Sequence, residues 1–124
     1  MNAVKVSFGI ATLVASILVL NSVLAADEGE TKAKYTIKET MKIAHKDGLL
    51  KKVLSGDASQ DEKLTLLDSY ISLLENKPAK GEMASWHNLA GKAVMAAAKV
   101  AVGREATNEL KTATNCGACH KAHK

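Results

Sequence analysis

Apolar residues recur at steps of three and four along most of this 124-residue chain, and that spacing limits the folds open to it. Such steps place side chains on one face of an α-helix, whereas a half-buried strand needs strict alternation, which no stretch of the sequence shows. The helical pattern covers residues 36–55, 59–75, 83–102 and 104–122. Because the connections are short and the helices similar in length, the sequence predicts an all-α fold, an antiparallel up-down-up-down four-helix bundle.

Residues that begin and end helices stand at the boundaries of these segments. Thr36 with Glu39, and Ser59 with Glu62, have the spacing of capping boxes. In a capping box, a hydroxyl and a carboxylate three residues later accept hydrogen bonds from each other's backbone N–H groups. Gly56 follows the first segment, where glycine commonly ends a helix. The pattern therefore predicts where the first two helices start and where the first one stops.

The first 25 residues have the order of a secretory signal peptide. A basic residue, Lys5, precedes an apolar, uncharged run over 8–20, and residues with small or medium-sized side chains lie around Ala25. This run is shorter than the roughly 20 residues of a membrane span; the alternative is an uncleaved N-terminal anchor. Cleavage after Ala25 would leave a flexible, charged lead-in over 26–34 and a helical domain over 35–124. The sequence therefore predicts an exported, periplasmic protein with no membrane-spanning segment after cleavage.

Composition argues against several classes of protein. The chain has 17 basic and 13 acidic residues, a formal net charge of +4, and the two signs alternate rather than cluster. Nucleic-acid binding therefore has little support, although a mild basic balance allows acidic partners. We find no paired carboxylates, activated serine or phosphate-binding loop, so the sequence predicts that the protein is not an enzyme.

One motif near the C-terminus carries the chemistry. Cys116-Gly117-Ala118-Cys119-His120 is a C-x-x-C-H sequence, the attachment signature of c-type haem. Residues three and four apart share a helix face, so the two thiols can bond to the two vinyl groups on one haem edge. His120 can then turn its imidazole under the iron as the proximal ligand. The motif therefore predicts one covalently attached haem c.

A redox dithiol, a plain disulfide and a zinc site are the alternatives for these cysteines. A thioredoxin-like C-x-x-C opens a helix within a βαβ pattern, and this sequence has no strand pattern. Structural zinc needs about four ligands. Only Cys116, Cys119 and one of His120 or His123 stand close together in the sequence. The export signal favours haem, because haem c is attached after export.

Four helices with C-x-x-C-H in the last turns of the last helix resemble the class II c-type cytochromes, which comprise cytochrome c′ and its low-spin relatives. The order of elements matches from Thr36 to Lys124, and Lys124 stands four residues after the ligand histidine, where the family usually has Arg or Lys. In that family the first helix passes the distal face of the haem. The resemblance implies that one residue of the first helix faces the iron.

Met41 and His45, one turn apart in the first helix, are the candidates for that distal position. An antiparallel bundle also predicts that these residues lie near the haem, because the start of the first helix then lies beside the end of the fourth. By the resemblance, Met41 matches the methionine ligand of low-spin members, and we expect six-coordinate iron. His45 is the alternative ligand, but its second ring nitrogen would need a buried partner. In a third alternative the distal site is open and Met41 only fills the core.

Other residues have simpler interpretations. We expect Trp86 in the core or at the end of the bundle, with contact to the haem as the alternative. We expect His87 to be solvated and His123 to lie at an exposed chain end. Lys121 and Lys124 could join His123 in a basic rim for an acidic partner, but a solvated terminus is the simpler expectation.

These observations predict an exported haem protein that transfers electrons to a redox partner protein, which could be acidic. Iron changes its oxidation state, and the protein sets the potential through the axial ligand and burial. The alternative function is binding of nitric oxide or carbon monoxide at an open distal site, as in cytochrome c′. A haem-free bundle with a disulfide is a third alternative. Both a monomer and a homodimer are consistent with the sequence.

Overall fold

The computed structural model describes residues 32–124, so the signal-peptide prediction for 1–25 lies outside the described residues. Within 32–124 every regular element is a helix and none is a strand, which confirms the all-α prediction for that part of the chain. Its elements are α1 (Ile37–Thr40), a π-helical segment (Met41–Lys46), α2 (Leu49–Leu54), α3 (Gln60–Glu75), α4 (Met83–Ala101), α5 (Thr107–Ala113) and α6 (Cys116–His123). None of these described helices is both long enough and apolar enough to cross a membrane.

Both predicted capping boxes are confirmed. The Thr36 hydroxyl accepts from the Glu39 backbone N–H at 3.2 Å, and the Glu39 carboxylate accepts from the Thr36 N–H at 2.8 Å. Ser59 and Glu62 repeat the pair at 3.2 and 2.8 Å at the start of α3. These bonds satisfy N–H groups that have no partner within the helix, and they fix where α1 and α3 begin.

The prediction of one unbroken first helix is wrong. After α1 the backbone widens into the π-helical segment, which ends where the Asp47 N–H bonds to the Lys42 carbonyl at 2.8 Å. Gly48 then has a φ of +81°, which separates this segment from α2. A glycine tolerates that left-handed backbone without a Cβ clash, so Gly48, which lies inside the helix predicted over 36–55, is the residue that interrupts it.

The prediction of one fourth helix from Arg104 is also wrong. Two helices, α5 and α6, occupy this stretch, and the first begins at Thr107. The Thr114 hydroxyl donates to the Leu110 carbonyl at 2.7 Å, and Asn115 caps α6 by accepting from the Ala118 N–H at 3.2 Å. Side chains of Thr and Asn that bond to nearby backbone groups compete with helix continuation, so α6 starts afresh at the first cysteine.

The core lies around α4, whose buried face has five alanines together with Trp86 and Val100. Its neighbours are α3, α5 and α6, while α1 and the π-helical segment pack on α3, and α2 packs on α3 and α5. Bulk comes from the facing helices, with Leu66 and Tyr70 on α3 and Leu110 on α5 at most 1 % exposed. Because alanine side chains are short, neighbouring helices approach α4 closely, and α6 can rest on it near the end of the chain.

Candidate functional site

The short helix α6 carries the whole C-x-x-C-H motif. Cys116 is its first residue and is exposed, Cys119 is half-buried, and both are free thiols. The Cys116 thiol donates weakly to the Thr114 carbonyl, with 3.6 Å between sulfur and oxygen. His120 follows on the next turn and is exposed. The two sulfurs and the imidazole are therefore accessible on one surface helix.

A cavity of about 700 Å³ opens beside these residues. Cys116, Cys119 and His120 line it from α6, and Met41 and His45 line it from the π-helical segment. The two segments do not pack against each other, so the cavity lies between them. Its remaining walls include Tyr70, Leu73, Leu89, Ala90 and Ala93. The structure thus brings together all five residues that the sequence marked as candidates.

A second cavity, of about 730 Å³, is lined by the same five candidates. It extends towards α1, the loop before α4 and the chain end, where Ile37, Trp86 and His123 line it. Each volume lies within the range of about 300–1,000 Å³ that is usual for small-molecule sites. Cys116, Cys119 and His120 therefore line both cavities.

Burial affects the acid–base chemistry of this site. The pKa of the His45 imidazole is lowered because the ring is half-buried and, secondarily, because His120 is near enough to repel its charged form. His45 is therefore held neutral, the form in which imidazole binds metals. Burial, with Cys116 close by, raises the pKa of the Cys119 thiol, which keeps it protonated near neutral pH.

Tyr70 is a site residue that the sequence did not mark. It is 1 % exposed, its ring centroid lies 6.2 Å from that of His45, and its hydroxyl has no hydrogen-bond partner among the described residues. Burial raises the pKa of this phenol well above its usual value. A buried hydroxyl without a partner costs about 1–3 kcal/mol. The available signal was a tyrosine within an amphipathic helix, since a buried tyrosine usually needs a partner for its O–H.

The prediction that His123 lies at an exposed chain end is wrong. Its side chain is nearly fully buried, at 5 % exposure. Its Nδ1 lies 3.0 Å from the Lys80 carbonyl, which can only accept, so Nδ1 carries the hydrogen. In the neutral ring Nε2 then accepts from the Ser85 hydroxyl, 3.1 Å away. These bonds hold the last turn of α6 against the loop before α4 and the start of α4.

Trp86 completes this contact. Its ring meets His123 edge to face with centroids 5.4 Å apart, and its indole N–H donates to the Asn76 carbonyl at 2.8 Å. It is buried, as predicted, while His87 beside it is exposed, also as predicted. Lys121 and Lys124 are exposed. Trp86 and His123 together fix α6, and so determine where the motif residues stand.

Comparison of this chain with protein-family models, with curated proteins and with solved structures gave no match. Over the described residues, no three His, Cys, Asp or Glu side chains cluster in a way that could hold a metal ion. A function for this chain therefore rests on the geometry of the site and on the cysteine motif within it.

Proposed function

We propose that this protein is an exported c-type cytochrome that carries one covalently attached haem and transfers electrons. One observation carries the proposal: a cavity between α6 and the π-helical segment is lined by both motif thiols, by His120 and by two further side chains that can bind iron, Met41 and His45. When bound, a haem supplies a one-electron couple whose potential depends on its axial ligands and burial.

The residues present fit that group. Both thiols are free and three residues apart on one helix, with the imidazole next to the second thiol. Apolar side chains line much of the cavity, and a flat, largely apolar macrocycle needs such walls. We assign Cys116 and Cys119 to covalent attachment and His120 to the proximal side of the iron.

We propose Met41 as the distal ligand and keep His45 as the alternative. The thioether of Met41 is long and flexible and brings no polar ring into the cavity. His45 remains the alternative because burial of its imidazole lowers the pKa, which favours the neutral form that binds metals. Both side chains line both cavities, so the choice rests on experiment.

The finer fold belongs to the same proposal. We propose that α1, the π-helical segment and α2 together make the first rod of a four-helix bundle, that α3 and α4 are the second and third, and that α5 and α6 make the fourth. Support comes from the packing of α1 and α2 on α3, of α3 on α4, and of α4 on α5 and α6. In such a bundle the start of the first rod would lie beside the end of the last one.

Absorption spectra of the purified protein, oxidised and reduced, with and without carbon monoxide, test the function. We expect haem bands that change reversibly with one electron and a reduced spectrum that carbon monoxide alters little, because both axial positions are filled. A protein without haem absorption contradicts the proposal. Rapid carbon monoxide binding to the reduced protein would show an open distal site and favour gas binding instead.

A further inference from the structure

The two cavities that the motif residues line differ in charge. The wall of the second cavity has four exposed lysines and none of the described Asp or Glu residues; the lysines are Lys38, Lys46, Lys77 and Lys124. The first cavity has one lysine, Lys92, and one glutamate, Glu109, whose carboxylate is paired with Lys99 at 2.8 Å. Positive charge is therefore concentrated at the second cavity.

Two of these lysines belong to segments that line the second cavity alone. Lys38 comes from α1 and Lys77 from the loop before α4, and neither segment lines the first cavity. Lys46 and Lys124 belong instead to the π-helical segment and to the end of α6, the two elements that carry the thiols and the candidate iron ligands. Lys38 and Lys77 therefore stand on the part of the wall that those thiols and ligands do not occupy.

A covalently bound haem has two chemically different edges. Thioether bonds would join one edge to Cys116 and Cys119, and two propionate side chains extend from the opposite side of the ring. Each propionate is a carboxylate, and a carboxylate that leaves water needs a cation or hydrogen-bond donors as partners. The first cavity offers one lysine for two such charges, whereas the second cavity offers four.

We infer that the haem propionates lie in the second cavity, where Lys38 and Lys77 pair with them. This inference rests on the proposed haem attachment and adds the direction in which the macrocycle extends from its two thioether bonds. Long lysine stems can lie along the apolar ring while their ammonium groups stay in contact with water, so this pairing does not require full burial of the charges. Lys38 and Lys77 are therefore positioning residues, which orient the macrocycle without touching the iron.

Coupling with a water-soluble carbodiimide, applied to the purified, haem-loaded protein, tests the contact directly. The reagent activates a propionate, the amine of a contacting lysine attacks the activated carbonyl, and an amide forms while the reagent leaves as its urea. After proteolysis, we expect the haem-bearing peptide of Cys116 and Cys119 to be joined to a peptide that carries Lys38 or Lys77, with the mass of one water lost. Coupling only to other lysines, such as Lys92, would overturn the inference. So would propionates that react with added glycine ethyl ester but with no lysine.

The reduction equilibrium of the haem gives a second test. Lys38→Gln with Lys77→Gln leaves the propionate charges uncompensated, which favours ferric iron, so we expect the equilibrium constant for reduction by a reference couple to fall at least about fivefold. A control with Lys51→Gln and Lys63→Gln, which removes the same charge at lysines lining neither cavity, should change it by less than about twofold.

Replacing Lys38 and Lys77 by arginine keeps both charges, so this variant should keep the equilibrium constant of the unmutated protein and lose the carbodiimide coupling. An equal fall in the glutamine variant and its control would overturn the inference, because only net charge would then matter. A protein that carries no haem in any variant would instead contradict the proposed function.

Discussion

At the scale of single residues, the site depends on side chains that lie close in space and have different environments. Met41 and His45 are half-buried in one segment, and His120 is exposed on another, yet all three line the same two cavities. Burial holds His45 neutral, whereas Met41 has no charge to lose. The helical repeat of the sequence is enough to predict that Met41 and His45 share a face, but it cannot rank them as ligands.

Substitution of the two candidates separates them. If Met41 is the distal ligand, the ferric protein shows a methionine–sulfur charge-transfer band in the far red. Met41→Ala should abolish that band, and His45→Ala should leave it in place. A protein with no such band, whose spectrum changes in His45→Ala, has His45 as its ligand instead. If neither substitution alters the spectrum and carbon monoxide binds readily, the distal site is open.

Residues whose importance comes from contacts across the fold could not be predicted from the sequence. His123 is held by Lys80, 43 positions earlier, and by Ser85, and no local pattern signals that pairing. Tyr70 belongs to a helix whose periodicity is plain, but only the structure shows that its hydroxyl lacks a partner among the described residues beside His45. That Cys116 and Cys119 share one helix could be predicted, because their spacing of three residues is a local pattern.

At the scale of elements, helix starts were easier to predict than helix interruptions. Thr36 and Ser59 cap their helices as predicted, because a capping box is a local arrangement of four residues. The breaks at Gly48 and at Asn115 were missed, since apolar residues continue at helical steps on both sides. Asn115 directly before the motif was nevertheless a usable signal, because asparagine is a favoured N-cap.

The packing of the end of α6 on the loop before α4 gives a prediction at the scale of elements. Gly81 has a φ of +91°, and a Cβ there would lie 2.4 Å from His123 Nδ1 and 2.6 Å from the Ala122 carbonyl oxygen. Gly103 has a similar φ of +83° with open space around it, so Gly103→Ala is a matched control. We expect Gly103→Ala to lower the free energy of unfolding by about 1–2 kcal/mol through the backbone alone. Gly81→Ala should lower it by roughly a further 1–3 kcal/mol through overpacking.

Urea denaturation of the two variants, followed by circular dichroism, gives these free energies. Equal losses in Gly81→Ala and Gly103→Ala would show that the end of α6 does not rest on the loop before α4. His123 would then not be the residue that fixes the motif helix.

At the scale of the whole molecule, α4 connects the parts of the site. Its alanine face lets α3, α5 and α6 pack closely around it, and the cavity between α6 and the π-helical segment is lined in part by Ala90 and Ala93. Helical periodicity was sufficient to predict the all-α class, because each helix can be recognised from apolar residues at steps of three and four within its own segment. The placement of the cavities was not predictable in that way, since it depends on where helices break and which neighbours they meet.

Export of the chain is a prediction for the molecule as a whole. The basic residue, apolar run and small residues of the first 25 positions predict cleavage after Ala25, so the mature protein should begin at Ala26. Intact mass of protein purified from an exporting host checks the cut site. A product that keeps Met1 to Leu24 would contradict cleavage and favour a membrane anchor.

Covalent attachment of haem is the central claim, and denaturation of the purified, exported protein tests it most directly. After acid–acetone extraction or denaturing electrophoresis, we expect haem absorbance to stay with the chain. Cys116→Ala combined with Cys119→Ala should remove it, while His87→Ala, a change at an exposed histidine away from both cavities, should not. Complete release of haem from the unmutated protein, or its retention in the double cysteine variant, would contradict attachment through these two thiols.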